Sequence, residues 1–213
     1  MEKLAPMRRS YPREERCVKL VLASSNHGKL RELADLLADS GIELLAQSDL
    51  GVEDVEETGT TFVENALIKA RHASRLTGLP ALADDSGLCV DALHGAPGLY
   101  SARYAGAHGD AGRNIDKLLE TLKDVAEAQR GAHFYCVLAV LQHADDPRPL
   151  IVEGQWDGRI LLQRRGSAGH GYDPVFFDPL HAQSAAEMEP VLKNRVSHRG
   201  QALALLKQRL ILP

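Results

Sequence analysis

Four separate groups of charged and polar residues in this chain have the types and spacing to do chemistry. The first is SSNHGK at residues 24–29, which follows an apolar stretch and precedes a helical pattern. Backbone N–H groups at a helix start bind anions, and Lys29 adds a cation. The group is not a Walker A loop, because its first glycine is missing and Leu30 follows Lys29. Taken alone, it is better explained as a polar capping loop with a solvated lysine.

The second group is DDSG at residues 84–87, directly after the apolar stretch LPALA. This order predicts two carboxylates at the carboxyl end of a buried strand, where open α/β sheets bind ligands. Carboxylates there could hold Mg²⁺ or accept a proton from water. The alternative is a polar turn that closes the strand.

The remaining two groups add acids and cations. Glu56-Glu57 precede a predicted helix, in which Lys69 shares the face of Phe62 and either reaches solvent or points into a cleft. Near the carboxyl terminus, Lys193 precedes a Ser-His-Arg helix start at residues 197–199. Cations there oppose the helix dipole, so a bound anion or base is one explanation and a solvated surface the other. The four groups together hold what a magnesium-bound polyphosphate needs.

Other catalytic motifs are missing from the sequence. The nine histidines form no HExxH pattern, which argues against a zinc site, and neither G-x-S-x-G nor G-x-G-x-x-G occurs. The three cysteines are widely spaced without a CxxC, which is typical of reduced thiols in a cytoplasmic protein.

Strands and helices alternate in the pattern of an α/β protein. Apolar stretches predict strands at residues 18–23, 42–46, 79–83 and 133–141, then two more, LIVEGQW and GRILLQ, that meet at a turn at Asp157-Gly158. Helical spacing predicts helices after Leu30, after Thr60 or Thr61, over 110–129 and after Ser197. We therefore expect a mixed, twisted central sheet with flanking helices, arranged as two lobes around a substrate cleft.

Length and charge limit the remaining possibilities. The 213 residues suit one domain over 17–213, preceded by a disordered, polar tail over 1–16. The chain has 25 basic and 29 acidic side chains, a net charge of −4, which argues against a nucleic-acid-binding protein. No apolar run reaches the ~20 residues of a membrane span, so we expect no membrane partner.

Five segments, in order, resemble one known family: SSNHGKLRE, EETGTTFVENALIKARHA, ALADDSGLCVDALHGAPGLYSARYAG, GYDPVFF and SHRGQAL. The sequence from Leu20 to Leu206 is similar to the non-canonical purine nucleoside triphosphate pyrophosphatases. The resemblance implies cleavage of ITP, dITP and XTP between the α and β phosphates, which yields a monophosphate and pyrophosphate. It also implies a Mg²⁺ cofactor and a homodimer of mixed α/β subunits.

The resemblance further implies roles for residues that match the family's motifs. Glu56 and Asp85 would bind Mg²⁺, Asp85 would accept the proton of the attacking water, and Lys69 would contact phosphate. The implied substrate-binding residues are Ser24, Ser25, Asn26, His27, Gly28, Lys29, Ser86, His170, Gly171, Tyr172, Asp173, Lys193, His198 and Arg199. Donors such as Lys193 and Arg199 would favour a 6-oxo purine over adenine.

One position departs from the family's pattern. His170 stands before Gly171 where the family usually has Phe, and an imidazole stacks with less area and can take up a proton. Two other functions stay open: a pyrophosphatase for another modified nucleotide, and a non-catalytic nucleotide-binding protein.

Overall fold

The computed structural model describes residues 18–37, 41–106 and 109–210. The predicted tail over 1–16 lies outside these residues, so the domain boundary at Cys17 remains a prediction. The described chain forms one mixed sheet of seven strands. The strands are β1 (Val18–Leu22), β2 (Ile42–Ala46), β3 (Ala81–Val90), β4 (Gly131–Leu141), β5 (Leu150–Ile160), β6 (Phe176–Asp178) and β7 (Gln183–Ser184).

The sheet has a parallel and an antiparallel part, as the sequence predicted. Its order is β2-β1-β3-β4-β5-β6-β7, with β1 parallel to both β2 and β3. Every later pair, from β3–β4 to β6–β7, is antiparallel. Helices connect the parallel strands because a parallel pair needs a crossover, whereas β4 to β7 follow one another without an intervening helix.

Helices cover both faces of this sheet. They are α1 (His27–Leu37), α2 (Phe62–Thr77), α3 (Ala111–Thr121), α4 (Pro190–Val196) and α5 (His198–Arg209), with a short 3₁₀ helix at Gly98–Arg103. Small residues of α2 (Ala66, Ala70 and Ala73) pack on one face, while leucines of α1 and α5 pack on the other. Within the described ranges, no helix is long and apolar enough to cross a membrane.

Helix α2 begins where the sequence predicted and points Lys69 inward. Thr61 is its N-cap, and Thr61 and Glu64 form a reciprocal capping box. This cap fixes the first turn, from which the 3.6-residue period turns Lys69 towards the sheet with the buried alanines.

Two predicted strand boundaries were wrong. The strand predicted at 79–83 is β3 and runs on to Val90, so Asp84 and Asp85 lie within a strand, paired with Leu138 and Val137 of β4. The two strands predicted on either side of Asp157-Gly158 are one strand, β5. The polar residues suggested turns, but long antiparallel partners continue past them and satisfy their backbone groups.

The helix predicted over 110–129 was also too long. Asp110 is the N-cap of α3, but the helix ends at Thr121. The buried guanidinium of Arg130 donates to the carbonyl oxygens of Val125 and Leu122 at 3.0 and 2.6 Å. An arginine folded back on these carbonyls satisfies backbone groups that a longer helix would have used.

Candidate functional site

Strand β3 directs its two adjacent carboxylates to opposite faces of the sheet. Asp84 faces α1 and α5, where it contacts Lys29 and Arg199. Asp85 faces α2, where it contacts Lys69. The two-residue period of a strand gives this division, and it requires that both acids lie within β3.

Asp84 is a buried centre of charge pairing, with only 1% of its surface exposed. Its Oδ1 lies 2.5 Å from Lys29 Nζ and 3.0 Å from Ser86 Oγ, and its Oδ2 accepts from Arg199 Nε at 2.7 Å. Burial acts to raise the pKa of this carboxyl, but Arg199 and Lys29 hold the pKa well below its usual value. Asp84 is therefore ionised and shared between two cations of different helices.

This pairing accounts for the cation at the start of α5. Arg199 is itself buried and opposes the helix dipole, but Asp84 supplies the compensating charge. The sequence alone suggested a bound ligand or a solvated surface, and neither is needed to explain Arg199.

His198, the first residue of α5, is a neutral aromatic group in the structure. Its ring stacks on Phe134 of β4 with centroids 4.9 Å apart. Burial, together with the charge of Arg199, lowers the pKa of His198 well below 6.5. Its Nδ1 is buried and has no hydrogen-bond partner among the described residues.

On the other face of β3, Lys69 joins Asp85 to a second acid. Lys69 Nζ lies 2.7 Å from Asp85 Oδ1, 2.7 Å from Glu57 Oε1 and 2.9 Å from the carbonyl oxygen of Asp84. Burial acts to lower the pKa of Lys69, but Asp85 and Glu57 together raise it. The ammonium has three N–H donors, and these three contacts engage all of them.

Asp85 retains an oxygen that the described residues leave unsatisfied. Its Oδ2 is buried without a hydrogen-bond partner. Burial raises the pKa of this carboxyl above its usual value, and Lys69 offsets the rise only in part. A buried carboxylate oxygen with no donor or cation is costly, so it has the chemistry of a metal-binding or proton-accepting atom.

Two adjoining cavities open on either side of these residues. The carboxylate cavity, of about 630 Å³, is lined by Ser24, Ser25, Glu56, Glu57, Lys69 and Asp85 among others. The aromatic cavity, of about 600 Å³, is lined by Phe134, His170, Tyr172, Asp173, Lys193 and His198 among others. Asn26, Lys29, Ser86 and Ala102 line both cavities, so the two form one continuous cleft.

The carboxylate cavity is suited to a divalent cation that arrives with an anion. Four carboxylates (Asp54, Glu56, Glu57 and Asp85) and three cationic side chains (Lys29, Lys69 and Arg103) line it. In the described ranges, no group of three or more His, Cys, Asp or Glu side chains could hold a metal ion on its own. Magnesium commonly binds through one or two carboxylates, with phosphate oxygens and water completing its shell. The residues therefore fit Mg²⁺ bound together with a phosphate.

The cleft brings together nearly all the residues that the sequence indicated. Glu56, Lys69, Asp85, Ser24 and Ser25 line the carboxylate cavity, and Ser86 lies at the junction. Gly28, residues 170–173, Lys193, His198 and Arg199 line the aromatic cavity. The side chain of His27 lies outside the described part of the chain.

The start of α1 differs in detail from the expected anion site. The amides of Gly28 and Lys29 donate to Asn26 Oδ1 at 2.9 and 3.1 Å, so the asparagine side chain satisfies both groups. The hydroxyl of Ser25 donates to Asp54, whose other oxygen accepts from Gln47 at 2.5 Å. The side chains of Asn26 and Asp54 therefore order this loop.

Sequence reasoning named Asp84 and Glu57 only as members of acidic pairs, without a role of their own, and it did not name Phe134. Asp84 and Glu57 each adjoin a residue that was chosen, and spacing alone does not tell which member of an acidic pair faces a given lysine. No sequence signal pointed to Phe134, since it belongs to an apolar strand and meets His198 only in the fold.

Comparison with known proteins places this cleft in a family. The model of the Ham1 family matches residues 20–209. The chain belongs to the Ham1 family. The match runs from within β1 to the last turn of α5 and includes every residue of the cleft, in agreement with the resemblance in the sequence.

Curated relatives and solved structures of the Ham1 family cover the same length. A dITP/XTP pyrophosphatase from Xanthomonas campestris pv. campestris (strain 8004) is 61% identical over 191 residues, covering 90% of this chain and 96% of the relative. One from Vibrio cholerae is 56% identical over 188 residues, 88% of this chain and 94% of the relative. The structure of a HAM1 protein from Coxiella burnetii has a TM-score of 0.85 at 51% identity, covering 90% of this chain and 97% of that one.

Proposed function

We propose that this protein hydrolyses the non-canonical purine nucleoside triphosphates dITP, ITP and XTP to the monophosphate and pyrophosphate, and so removes deaminated purines from the nucleotide pool. The observation that carries the proposal is the cleft, in which the unsatisfied Asp85 oxygen adjoins a cationic and carboxylate-lined cavity. Relatives named dITP/XTP pyrophosphatase at 56–61% identity over most of the chain support the substrate class.

In this proposal Asp85 is the proton acceptor. A water oxygen attacks the α-phosphorus, its proton passes to the Asp85 carboxylate, and the bond from the α-phosphorus to the bridging oxygen breaks. Pyrophosphate leaves with that oxygen. The buried carboxylate has an oxygen without a partner among the described residues, which leaves it able to accept a proton at the edge of the carboxylate cavity. Lys69 orients Asp85 and adds positive charge beside the phosphates.

Mg²⁺ is the proposed cofactor, with Asp85 and Glu56 as its ligands. Both line the carboxylate cavity, and the buried Asp85 Oδ2 has no other partner among the described residues. Glu57 is engaged by Lys69, whereas Glu56 forms no ion pair within the described ranges. When bound, the ion neutralises charge on phosphate oxygens.

The phosphates and the base occupy opposite ends of the cleft in this proposal. Ser24, Ser25, Asn26, His27, Gly28 and Lys29 hold the triphosphate, and Ser86 contacts the substrate at the junction. The purine enters the aromatic cavity, beside His170, Gly171, Tyr172, Asp173, Lys193, His198 and Arg199.

In this proposal, Lys193 and Asp173 recognise the edge of the purine by hydrogen bonding. Lys193 Nζ lies 2.5 Å from Asp173 Oδ2, which also accepts from the backbone N–H of His170 at 2.7 Å. The pair fixes a donor in the wall of the aromatic cavity, and a donor favours a 6-oxo group over the 6-amino group of adenine.

We also propose that the protein is a homodimer and is located in the cytoplasm. These two proposals rest on the resemblance to the family alone.

A panel of nucleotide substrates tests this function, together with a variant that lacks the proposed proton acceptor, Asp85. ITP, dITP, XTP, GTP and ATP are incubated with Mg²⁺, and monophosphate and pyrophosphate are measured. We expect kcat/KM for dITP, ITP and XTP to exceed that for ATP by about 100-fold or more, and GTP shows whether groups other than the 6-oxo oxygen are recognised. Asp85→Asn should lower kcat by about 10²–10⁴-fold, because the water then has no proton acceptor.

Other outcomes would support the competing functions. Preferred hydrolysis of a different modified nucleotide would change the proposed substrate class but would leave the proposed reaction unchanged. Tight nucleotide binding with no monophosphate product would indicate a binding protein and would contradict the proposed chemistry.

A further inference from the structure

The 3₁₀ helix at Gly98–Arg103 forms a rigid wall of the cleft next to β3. Ser101 Oγ donates to the carbonyl oxygen of Gly98 at 2.6 Å and accepts from the backbone N–H of Leu88 at 2.9 Å. At Gly87 of β3, a Cβ atom would lie only 2.4 Å from the carbonyl oxygen of Gly98. The glycine therefore lets this helix approach β3 two residues beyond Asp85.

Arg103 ends this helix and lines the carboxylate cavity. Its guanidinium carbon lies 5.1 Å from the ring centroid of Tyr100, in the range of a cation–π contact. No motif reasoning assigned Arg103 a role, and the proposed function does not use it.

Arg103 differs from the other cations of the carboxylate cavity in its charge balance. Lys29 is paired with Asp84 at 2.5 Å, and Lys69 with Glu57 and Asp85 at 2.7 Å. Arg103 forms no ion pair with a carboxylate in the described residues. Lys69 has already engaged its three donors, and Lys29 is paired with Asp84. Among the described residues, Arg103 is therefore the cation of this cavity whose charge no carboxylate compensates, so its full charge is available to an anion.

The position of Arg103 indicates which part of a triphosphate it would meet. Lys29 and Ser86 line both cavities, whereas Arg103 lines the carboxylate cavity and not the aromatic one. If the base occupies the aromatic cavity, the α-phosphate lies at the junction and the β- and γ-phosphates extend into the carboxylate cavity.

We propose that Arg103 binds the β- and γ-phosphates of the substrate, the part that leaves as pyrophosphate. The guanidinium fork matches phosphate oxygens with two parallel hydrogen bonds. Charge builds on the leaving pyrophosphate as the bond to the α-phosphorus breaks, so a fixed cation there stabilises the transition state. The assignment rests on the proposed function and adds a residue to its binding site.

Product inhibition separates the two ends of the substrate. Pyrophosphate and IMP, the two products of ITP, are each used as inhibitors of ITP hydrolysis, with wild type, Arg103→Gln and Arg103→Lys. Arg113→Gln is the matched control, since this substitution removes the same charge. Arg113 is exposed on α3 and lies outside both cavities. Circular dichroism and thermal melting check that each variant is folded.

We expect Arg103→Gln to raise the inhibition constant of pyrophosphate about 10- to 100-fold and to lower kcat/KM for ITP by a similar factor, as expected for lost hydrogen bonds from a charged donor. The inhibition constant of IMP should stay within about twofold of wild type, as should both constants for Arg113→Gln. Arg103→Lys should lie in between, since it keeps the charge without the fork.

An unchanged pyrophosphate constant in Arg103→Gln, or equal rises for pyrophosphate and IMP, would overturn the assignment. If Arg103→Gln does not fold, Arg103→Lys decides: pyrophosphate inhibition equal to wild type contradicts the proposal. If wild type hydrolyses none of the triphosphates, the proposed function fails on its own. Calorimetric titration of pyrophosphate into wild type and Arg103→Gln then tests Arg103 directly, and equal or absent binding refutes it.

Discussion

At the scale of single residues, the two aspartates of β3 have different environments and therefore different consequences for stability. Asp84 is ionised between Arg199 and Lys29 and is fully satisfied. Asp85 has a raised pKa and one oxygen without a partner among the described residues. Although the two side chains are adjacent and chemically identical, Asp84 has a structural role in pairing cations, and Asp85 is available to react.

The substitution Asp84→Asn should therefore cost more stability than Asp85→Asn. Removing the Asp84 charge breaks its buried pairs with Arg199 and Lys29, and breaking such a pair costs about 3–5 kcal/mol. Asp85→Asn should cost less than about 2 kcal/mol, since Glu57 remains paired with Lys69. Urea unfolding of both variants measures the difference, and equal losses would show that Asp84 is not the structural member of the pair.

At the scale of secondary structure elements, β5 and α5 place His198 and Arg199 through a very close backbone contact. A Cβ atom at Gly154 of β5 would lie 2.0 Å from the carbonyl oxygen of His198 and 2.7 Å from the backbone nitrogen of Ala202. Only glycine permits this approach, because both neighbours are backbone atoms that no rotamer change can move.

We expect Gly154→Ala to displace the start of α5. The substitution should cost about 1–3 kcal/mol or more in unfolding free energy and should raise KM for the nucleotide. Gly112→Ala in α3 is the control, since its Cβ would meet no heavy atom closer than 3.6 Å and a helical alanine stabilises by about 0.5–1 kcal/mol. Thermal melting with KM measurements tests this, and a Gly154→Ala variant as stable as wild type would contradict it.

At the scale of the whole molecule, stability should fall in mild acid because folding buries titratable groups in fixed charge states. The pKa of His198 is well below 6.5 in the folded protein, so the unfolded chain takes up a proton that the folded protein excludes. This loss begins as the pH falls below about 6.5 and continues towards the folded pKa. The pKa of Asp84 is also depressed, so its contribution is present above 3.8 and is lost in stronger acid.

Unfolding free energy measured from about pH 8 to about pH 5 should therefore decline by up to about 1.4 kcal/mol per pH unit for the His198 proton. His198→Gln should flatten this slope, whatever its effect on stability at pH 8. His143→Gln, at an exposed position, should leave the slope unchanged. An identical slope in wild type and His198→Gln would exclude His198 as its source.

Much of this molecule follows from local sequence. Apolar stretches with polar ends predicted β1 and β2, Thr61 and Ser197 predicted the starts of α2 and α5, and strand alternation with helices predicted the mixed sheet. These features depend on residues that are close together in the sequence, so they can be predicted from the sequence alone.

The lengths of β3, β5 and α3 did not follow, because they depend on partners far along the chain. Asp84 and Asp85 continue a strand because β4 pairs with them, and Asp157 and Gly158 do not turn because β4 pairs with them too. Arg130 ends α3 from nine residues beyond Thr121. Polar residues that favour turns locally are overridden when a distant strand satisfies their backbone groups.

For the site, the sequence by itself determined which residue types gather: acids, lysines and a polar loop that suit a magnesium-bound triphosphate. Only the tertiary structure decided how the charges are divided. Asp84 is paired with both Lys29 and Arg199, Asp85 keeps an oxygen without a partner among the described residues, and Arg103 keeps its charge in the carboxylate cavity. The physical reason is that the sequence gives the type of each residue, whereas the energy of an ion pair depends on the distance between its charges. Those distances are set by the tertiary fold.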